Sequence, residues 1–326
     1  MASLKPGLEI GPSLAVSAAF ATTDHMAHFA DALAGLPTQF TQPSDYAYTL
    51  SNSDLQETEN ALWYFKGLDG DFISRDNFPL PNLGLQLNKI CRDVHHGKGF
   101  GLIRGLNPRK YSTEDLALLY LGIQSYIANR HGRQDRKGNM LVHIVADNSS
   151  KLKAGHHRHS TTFITFHNEE AGDIISWFTR SAAAVGGQCI IASAYTIYNV
   201  LAESRPDLID TLARCDWPFA MPVLFQVEGK VMINFSRVAL IGNAVHPRPS
   251  NLPRLSLRQI EALDAIDSIA RAACLEISTQ AGDIHFVNNL TILHRREGFV
   301  NGETPQERRH LVRMRLRDDD LGWGLP

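Results

Sequence analysis

The tetrapeptide FHNE places His167 and Glu169 two residues apart at the end of a predicted strand. Residues i and i+2 of a strand point to the same face, so both side chains can reach one ion. A third candidate ligand, His294, stands far downstream in GDIHFVNNLTILHRREGF, where only the fold can bring it near the first pair. Two imidazoles and one carboxylate on one face of an octahedron leave three positions open, which suits non-haem Fe(II) oxygen chemistry. A Gly/Asn/Pro loop then leads to RRHLVRMRLR, where Arg308, Arg309, Arg313, Arg315 and Arg317 largely alternate with apolar residues. That is the pattern of a strand with an arginine-rich face. A guanidinium fork suits a carboxylate, because two parallel N–H···O bonds fix orientation as well as charge. Two histidines, a carboxylate and a strand arginine thus suggest a mononuclear iron site that also holds a dicarboxylate cosubstrate.

Such residues need a rigid frame. From residue 139 onward the sequence has the texture of short strands separated by turn signals, with strands expected near 140–146, 161–167, 173–179, 188–194, 221–227, 230–236, 282–287, 289–293 and 309–317. Val227-Glu228-Gly229-Lys230 has the composition of a hairpin turn. Helices interrupt at about 195–214, broken at Pro206, and at 256–273, where Ser256 and Gln259 form a capping box and Leu257, Ile260, Leu263 and Ile266 face the core. This many strands in one segment suggests a jelly-roll or double-stranded barrel.

Upstream, Ser53 or Asp54 can cap a helix through LQETENALWYFKGL, and a second helix at 85–95 presents Leu85, Leu87, Ile90 and Val94. GFGLIRGL at 99–106 reads as a short strand, and Ser112 with Asp115 starts another helix. No GxGxxG follows that strand, so this front end is expected to cover a β-core rather than form a dinucleotide-binding unit. Residues 1–50 lack periodicity and read as an irregular arm, with a single domain over 51–326 made of a cover (51–138) and a core (139–326).

The formal net charge of −2 gives no bulk electrostatic case for nucleic acid or an anionic membrane. Four dispersed cysteines without a CxxC argue against a disulfide framework or zinc ribbon and for a reducing, cytoplasmic setting. No apolar run approaches the roughly 18 residues needed to cross a bilayer.

With these residues in view, the chain resembles the Fe(II)/2-oxoglutarate-dependent oxygenases of the taurine dioxygenase and 2,4-dichlorophenoxyacetate dioxygenase superfamily, particularly fungal members. The resemblance spans roughly 80–320 and rests on five ordered blocks: GKGFGLIRGL, FHNEEAGDIISWFTRSAAAVGGQ, YNVLAESRPDLIDTL, GDIHFVNNLTILHRREGF and RRHLVRMRLRD. It implies a fold that is mainly β with α, a double-stranded β-helix core flanked by helices. It also implies that His167, Glu169 and His294 bind the metal, with Arg309 on the distal carboxylate of 2-oxoglutarate. Arg313 matches a second arginine facing the same end of the site. Asn289 is a candidate for orienting a bound group.

Two positions depart from the family pattern. The usual metal carboxylate is Asp in HxD, whereas this chain has Glu169, with Glu170 and Asp173 as alternatives. Where the family often has Thr or Ser touching 2-oxoglutarate, the chain has Cys189, a weak donor that also reads as a small buried hydrophobe. Trp177 and Phe178 read as strand packing, with one of them a candidate to line a substrate pocket. Arg295 and Arg296 are expected to divide between a pairing with Glu297 or Asp283 and a substrate carboxylate. His156, His157 and His159 suggest a mobile active-site loop.

The resemblance implies Fe(II), 2-oxoglutarate and O2 as the chemical apparatus, with succinate and CO2 released as a C–H bond is hydroxylated, desaturated or closed into a ring. The arginine-rich neighbourhood points to a small substrate bearing a carboxylate, such as an amino acid; fungal relatives that oxidise amino acids, one type closing an aziridine ring on valine, set the precedent. Self-association as a homo-oligomer is left open. Two rival readings remain: a non-catalytic binding protein on the same fold, and a cupin-like metalloenzyme that does not use 2-oxoglutarate.

Overall fold

A computed structural model describes residues 40–68, 72–135, 137–146, 159–243 and 247–323. The strands among them are β1 (Ala47–Thr49), β2 (Phe100–Arg104), β3 (Arg130–Gly132), β4 (Val142–Val145), β5 (Ile164–His167), β6 (Ile174–Ser181), β7 (Val185–Gly186), β8 (Cys189–Ser193), β9 (Leu224–Val227), β10 (Lys230–Ile233), β11 (Leu275–Ile277), β12 (Ile284–Asn288), β13 (Ile292–Arg296), β14 (Phe299–Val300) and β15 (His310–Arg317). The helices are α1 (Asn52–Lys66), α2 (Leu83–His96), α3 (Thr113–Gln124), α4 (Ala194–Ser204), α5 (Pro206–Leu212), α6 (Arg237–Ile241) and α7 (Leu257–Ala272). Most of the expected arm, residues 1–39, and the two histidines His156 and His157 lie outside the described residues.

Two sheets form the walls of the core. The major sheet has the order β1-β2-β12-β6-β15-β3, with β4 also paired to β15; the minor sheet runs β11-β8-β13-β5. Among the described strands only β1 and β2 pair in parallel; the other ladders are antiparallel. Alternation along the strands sorts side chains between two cores. On β6, Ile175 and Trp177 join the core between the sheets, while Ile174 and Phe178 join the core under α1, α2 and α3. On β15, Val312, Met314 and Leu316 take the helix-covered face, which leaves Leu311, Arg313 and Arg315 on the interior face.

The front end is more than a cover. Strand β2 is built into the major sheet, with Ile284 to Val287 of β12 paired to Ile103 to Phe100. Its residues feed both cores, Phe100 and Leu102 on one side and Ile103 on the other, so it cannot sit as an outer layer. Arg104 locks it there with two hydrogen bonds to the fully buried Asp283, at 2.9 and 2.8 Å. Asp283 is therefore Arg104's partner and not that of Arg295 or Arg296. At Gly101 an added Cβ would lie 2.6 Å from Ile90 Cγ2, so glycine lets α2 approach the sheet.

Local signals hold with small shifts. Ser51, not Ser53 or Asp54, caps α1; Asp54 is the third residue of its capping box. Ser112 caps α3 and Ser256 with Gln259 closes the box on α7. Leu85 and Leu257, expected on core faces, are 63% and 86% exposed: the buried stripe of α2 runs through Leu83, Leu87, Cys91 and Val94, and that of α7 through Gln259, Ala262, Leu263 and Ile266, which leaves both leucines outside it. The β9–β10 hairpin turns through Glu228 and Gly229 at φ 50 and 75°, the left-handed pair that a two-residue turn requires.

Candidate metal centre

The two histidines that lie far apart in sequence are direct neighbours in the minor sheet. His294 on β13 pairs with His167 at the end of β5, and their ring centroids are 4.4 Å apart. Glu169 follows just past the strand end. Ligand atoms of His167, Glu169 and His294 all lie within 4.8 Å of one another, the one such cluster of three among the described residues. Of the three carboxylates considered from sequence, Glu169 is the one in this cluster. Glu170 is exposed at the cavity rim, and Asp173 faces Arg317 at 3.6 Å.

The donor set fits a divalent metal. The Nδ1–H of His167 donates to the Thr165 carbonyl at 2.8 Å, which fixes the tautomer and leaves Nε2 with its lone pair. The Nδ1 of His294 is buried without a hydrogen-bond partner among the described residues, an orphaned polar atom of the kind a bound group satisfies. Burial lowers the pKa of both imidazoles, that of His294 to about 3, so both rings are neutral at physiological pH. Burial pushes Glu169 up, but the neighbouring charges, Arg313 first among them, outweigh it and hold the carboxyl at about 2. It is an anion.

Arg313 donates to Glu169 Oε1, and Arg315 reaches Oε2 at 3.4 Å. Asn289, a candidate for orienting a bound group, is occupied otherwise. Its Oδ1 accepts from Glu169 N–H at 2.9 Å, and its Nδ2 donates to the carbonyls of Glu169 and Gly172 at 3.0 and 2.9 Å. Asn168, which nothing in the sequence singled out, does a similar task. Its amide donates to the Asn289 carbonyl at 2.6 Å and accepts from Phe235 N–H at 3.0 Å, tying the end of β5 to the β12–β13 turn.

The cluster opens on a cavity of about 200 Å3 lined from both sheets. Trp177, Cys189, Arg296, Arg309 and Arg313 all line it, with Arg295 and Arg315. Trp177 both packs and lines: it stacks on His285 at 4.9 Å and stands 6.0 Å from the His294 ring. Phe178 faces away, into the helix-covered core. Arg309 is largely buried, its guanidinium over the Phe299 ring at 5.4 Å, and burial lowers its pKa to about 10, so it remains a cation. Cys189 lies beside Arg309, and burial raises the thiol to about 12, so it is a neutral lining group. Arg296 donates to the carbonyls of Ser160 and Thr162 and also lies over the Phe299 ring, at 4.8 Å. Its guanidinium anchors the segment leading into β5. His159 donates to or accepts no metal-cluster atom; its Nδ1–H goes to the Val145 carbonyl at 3.0 Å.

Arg315, counted in the arginine-rich strand face but given no role in the site, lines the cavity with Leu311 and Arg313, whose parity on β15 it shares. Ser236 and Ala239, from the start of α6, also line the cavity and had no sequence signal.

Comparison with known proteins agrees with this architecture. Residues 65–315 match the family described as "Taurine catabolism dioxygenase TauD, TfdA family". The taurine hydroxylase-like protein SAT17 of the fungus Stachybotrys chartarum is 36% identical over 315 residues, covering 91% of this chain and 81% of that protein. FR-33289 synthase of Streptomyces rubellomurinus is 24% identical over 261 residues, covering 74% and 76%. Among solved structures, an asparagine oxygenase in complex with Fe(II), 3-hydroxyasparagine and succinate superposes with a TM-score of 0.64 at 17% identity, covering 85% of this chain and 98% of that one. The non-haem iron oxygenase OrfP with Fe and α-ketoglutaric acid gives 0.58 at 14% identity, covering 84% and 94%. The two-sheet core is thus a double-stranded β-helix, and the chain belongs to the TauD/TfdA family of Fe(II)/2-oxoglutarate-dependent dioxygenases.

Proposed function

We propose that His167, Glu169 and His294 hold Fe(II), that Arg309 anchors the distal carboxylate of 2-oxoglutarate, and that the enzyme oxidises an unactivated C–H bond of a small, carboxylate-bearing or amino-acid-like metabolite. The observation that carries this is the closeness of the three ligand atoms, all within 4.8 Å, at the wall of a cavity that also contains Arg309. Bound iron, 2-oxoglutarate and O2 supply the oxidising chemistry, with succinate and CO2 as by-products.

The residues of this chain position and select. His167 is aimed by its bond to Thr165, and Glu169 by Asn289. Arg309 lines the cavity without a carboxylate partner among the described residues, so an anion brought there meets an unmatched, partly dehydrated cation. Cys189 replaces a hydroxyl donor with a thiol, leaving Arg309 to carry most of the recognition. Trp177 closes the wall beside His294 and keeps water from the reacting face. No general base is needed from the protein. Arg313 and Arg315 favour a substrate carboxylate near the metal, and hydroxylation, desaturation or ring closure follows from how that substrate lies. Residues 51–326 act as one oxygenase domain on a small molecule in the cytoplasm, with neither nucleic acid nor membrane as partner; a homo-oligomer is compatible with this reading. Among the described residues no helix is long and apolar enough to cross a membrane.

Aerobic incubation of the iron-loaded enzyme with 2-oxoglutarate and a panel of amino acids and small carboxylates, read by mass spectrometry, tests this. Substrate-dependent succinate with a product heavier by one oxygen, or lighter by two hydrogens, supports it. Succinate formation that no Arg309→Leu substitution diminishes contradicts the assignment of Arg309.

A further inference from the structure

We infer that the substrate carries two acidic groups and that Arg295 receives one of them. This rests on the reading of the site just given. Besides Arg296, whose guanidinium is engaged with the Ser160 and Thr162 carbonyls, the cavity is lined by Arg295, Arg309, Arg313 and Arg315. The carboxylates that line it are Glu169 and Glu170. Hydrogen bonds to neutral carbonyls cancel no charge, so five guanidiniums against two carboxylates leave an excess of three positive charges. Iron(II) and the 2-oxoglutarate dianion are equal and opposite, so their arrival leaves that excess unchanged. Unbalanced charges in a partly dehydrated cavity are costly, and a substrate that complements them gains what water cannot supply. A neutral zwitterion leaves that excess unmatched.

The excess is divided between two poles. Arg313 and Arg315 project from β15 of the major sheet and already share Glu169. Arg295 comes from β13 of the minor sheet. Its guanidinium lies over the Phe166 ring at 5.4 Å, and its Nε is buried with no hydrogen-bond partner among the described residues. It makes no ion pair with Glu297 or any other described carboxylate, although its five donors are made for one. An aromatic shelf under a half-buried guanidinium with no carboxylate partner among the described residues is the setting of an anion receptor rather than of a surface charge. A small molecule with acidic groups at both ends, either a dicarboxylate or a carboxylate with a second oxyacid, spans the two poles.

The test uses the iron-loaded enzyme with 2-oxoglutarate under anaerobic conditions, and near-isosteric pairs that differ by one charge: L-aspartate against L-asparagine, and L-glutamate against L-glutamine. Binding is read from the perturbation of the visible metal-to-ligand band and from calorimetry. The acidic member is expected to bind at least about tenfold more tightly than its amide. That ratio should fall towards one in Arg295→Gln and survive in Arg295→Lys, which keeps the charge. Equal or better binding of the amides, no difference between the pairs (whether both members bind or neither does), or an undiminished preference in Arg295→Gln overturns the inference. Absence of the band before any amino acid is added would instead sink the underlying oxygenase reading, so the two failures are distinguishable.

Discussion

Asn289 grips Glu169 by its backbone, accepting from the N–H at 2.9 Å and donating to the C=O at 3.0 Å, so that one amide sets the position of the candidate metal carboxylate. This is a positioning role, exerted from a residue that does not itself line the cavity. Asn289→Ala leaves those backbone groups to find other partners, at a cost of about 1–3 kcal/mol. It is expected to weaken metal binding about 10- to 100-fold, the usual effect of removing a group that orients a ligand. Anaerobic titration with Co(II) or Mn(II) measures this, and unchanged affinity would remove Asn289 from the account.

Arg309→Leu separates cosubstrate recognition from metal binding. Arg309 touches none of the three metal-cluster residues through a hydrogen bond, whereas Arg313 and Arg315 do. The substitution is expected to leave Fe(II) affinity within about twofold of wild type while 2-oxoglutarate affinity drops by about 2–5 kcal/mol, the loss expected for one partner of a buried charge pair. Metal and 2-oxoglutarate titrations on the same preparation check it.

His285 gives the fold a pH dependence independent of the metal ligands. It is 1% exposed, stacked on Trp177 and flanked by Asp283, Arg104 and Arg309, and burial lowers its pKa from 6.5 to about 4. In the unfolded chain the imidazole takes a proton as pH falls through 6.5, while in the folded chain it stays neutral until about 4. Stability therefore falls with pH across that window, by about 3 kcal/mol for this one group, and levels off below it. His294 and His310 act in the same direction. Denaturant unfolding of wild type and His285→Phe at pH 7 and pH 4.5 should show a smaller pH-dependent loss in the variant.

Gly101→Ala is expected to destabilise the protein by about 1–3 kcal/mol through overpacking, because the new methyl meets Ile90 Cγ2 at 2.6 Å. Adding Ile90→Ala should recover part of that loss, since the two sites share one contact. Thermal unfolding of the two single variants and the double variant decides it.

The core strands were legible because alternation and turn residues mark them locally. The β9–β10 hairpin and the caps of α3 and α7 appear where their residues announce them. The site was legible in residue type but not in arrangement. FHNE names two candidate ligands, yet the pairing of His294 with His167 is a property of sheet register that no local pattern carries. The same holds for Asn168 and Ser236, whose partners lie on segments remote in sequence. Strands of two or three residues, such as β3, β7 and β14, escaped notice because they are too short to show a period. Arg296 reads as a candidate substrate ligand from its place beside His294, but strand geometry spends its guanidinium on the carbonyls of Ser160 and Thr162.

The central claim is that His167, Glu169 and His294 form a working iron site that accepts 2-oxoglutarate. The most direct measurement is an anaerobic titration of the purified protein with Fe(II) and then 2-oxoglutarate, following the weak visible metal-to-ligand charge-transfer band. The band is expected in wild type and absent in His294→Ala. A wild-type protein that gives no band, or a His294→Ala variant that keeps it, would contradict the account.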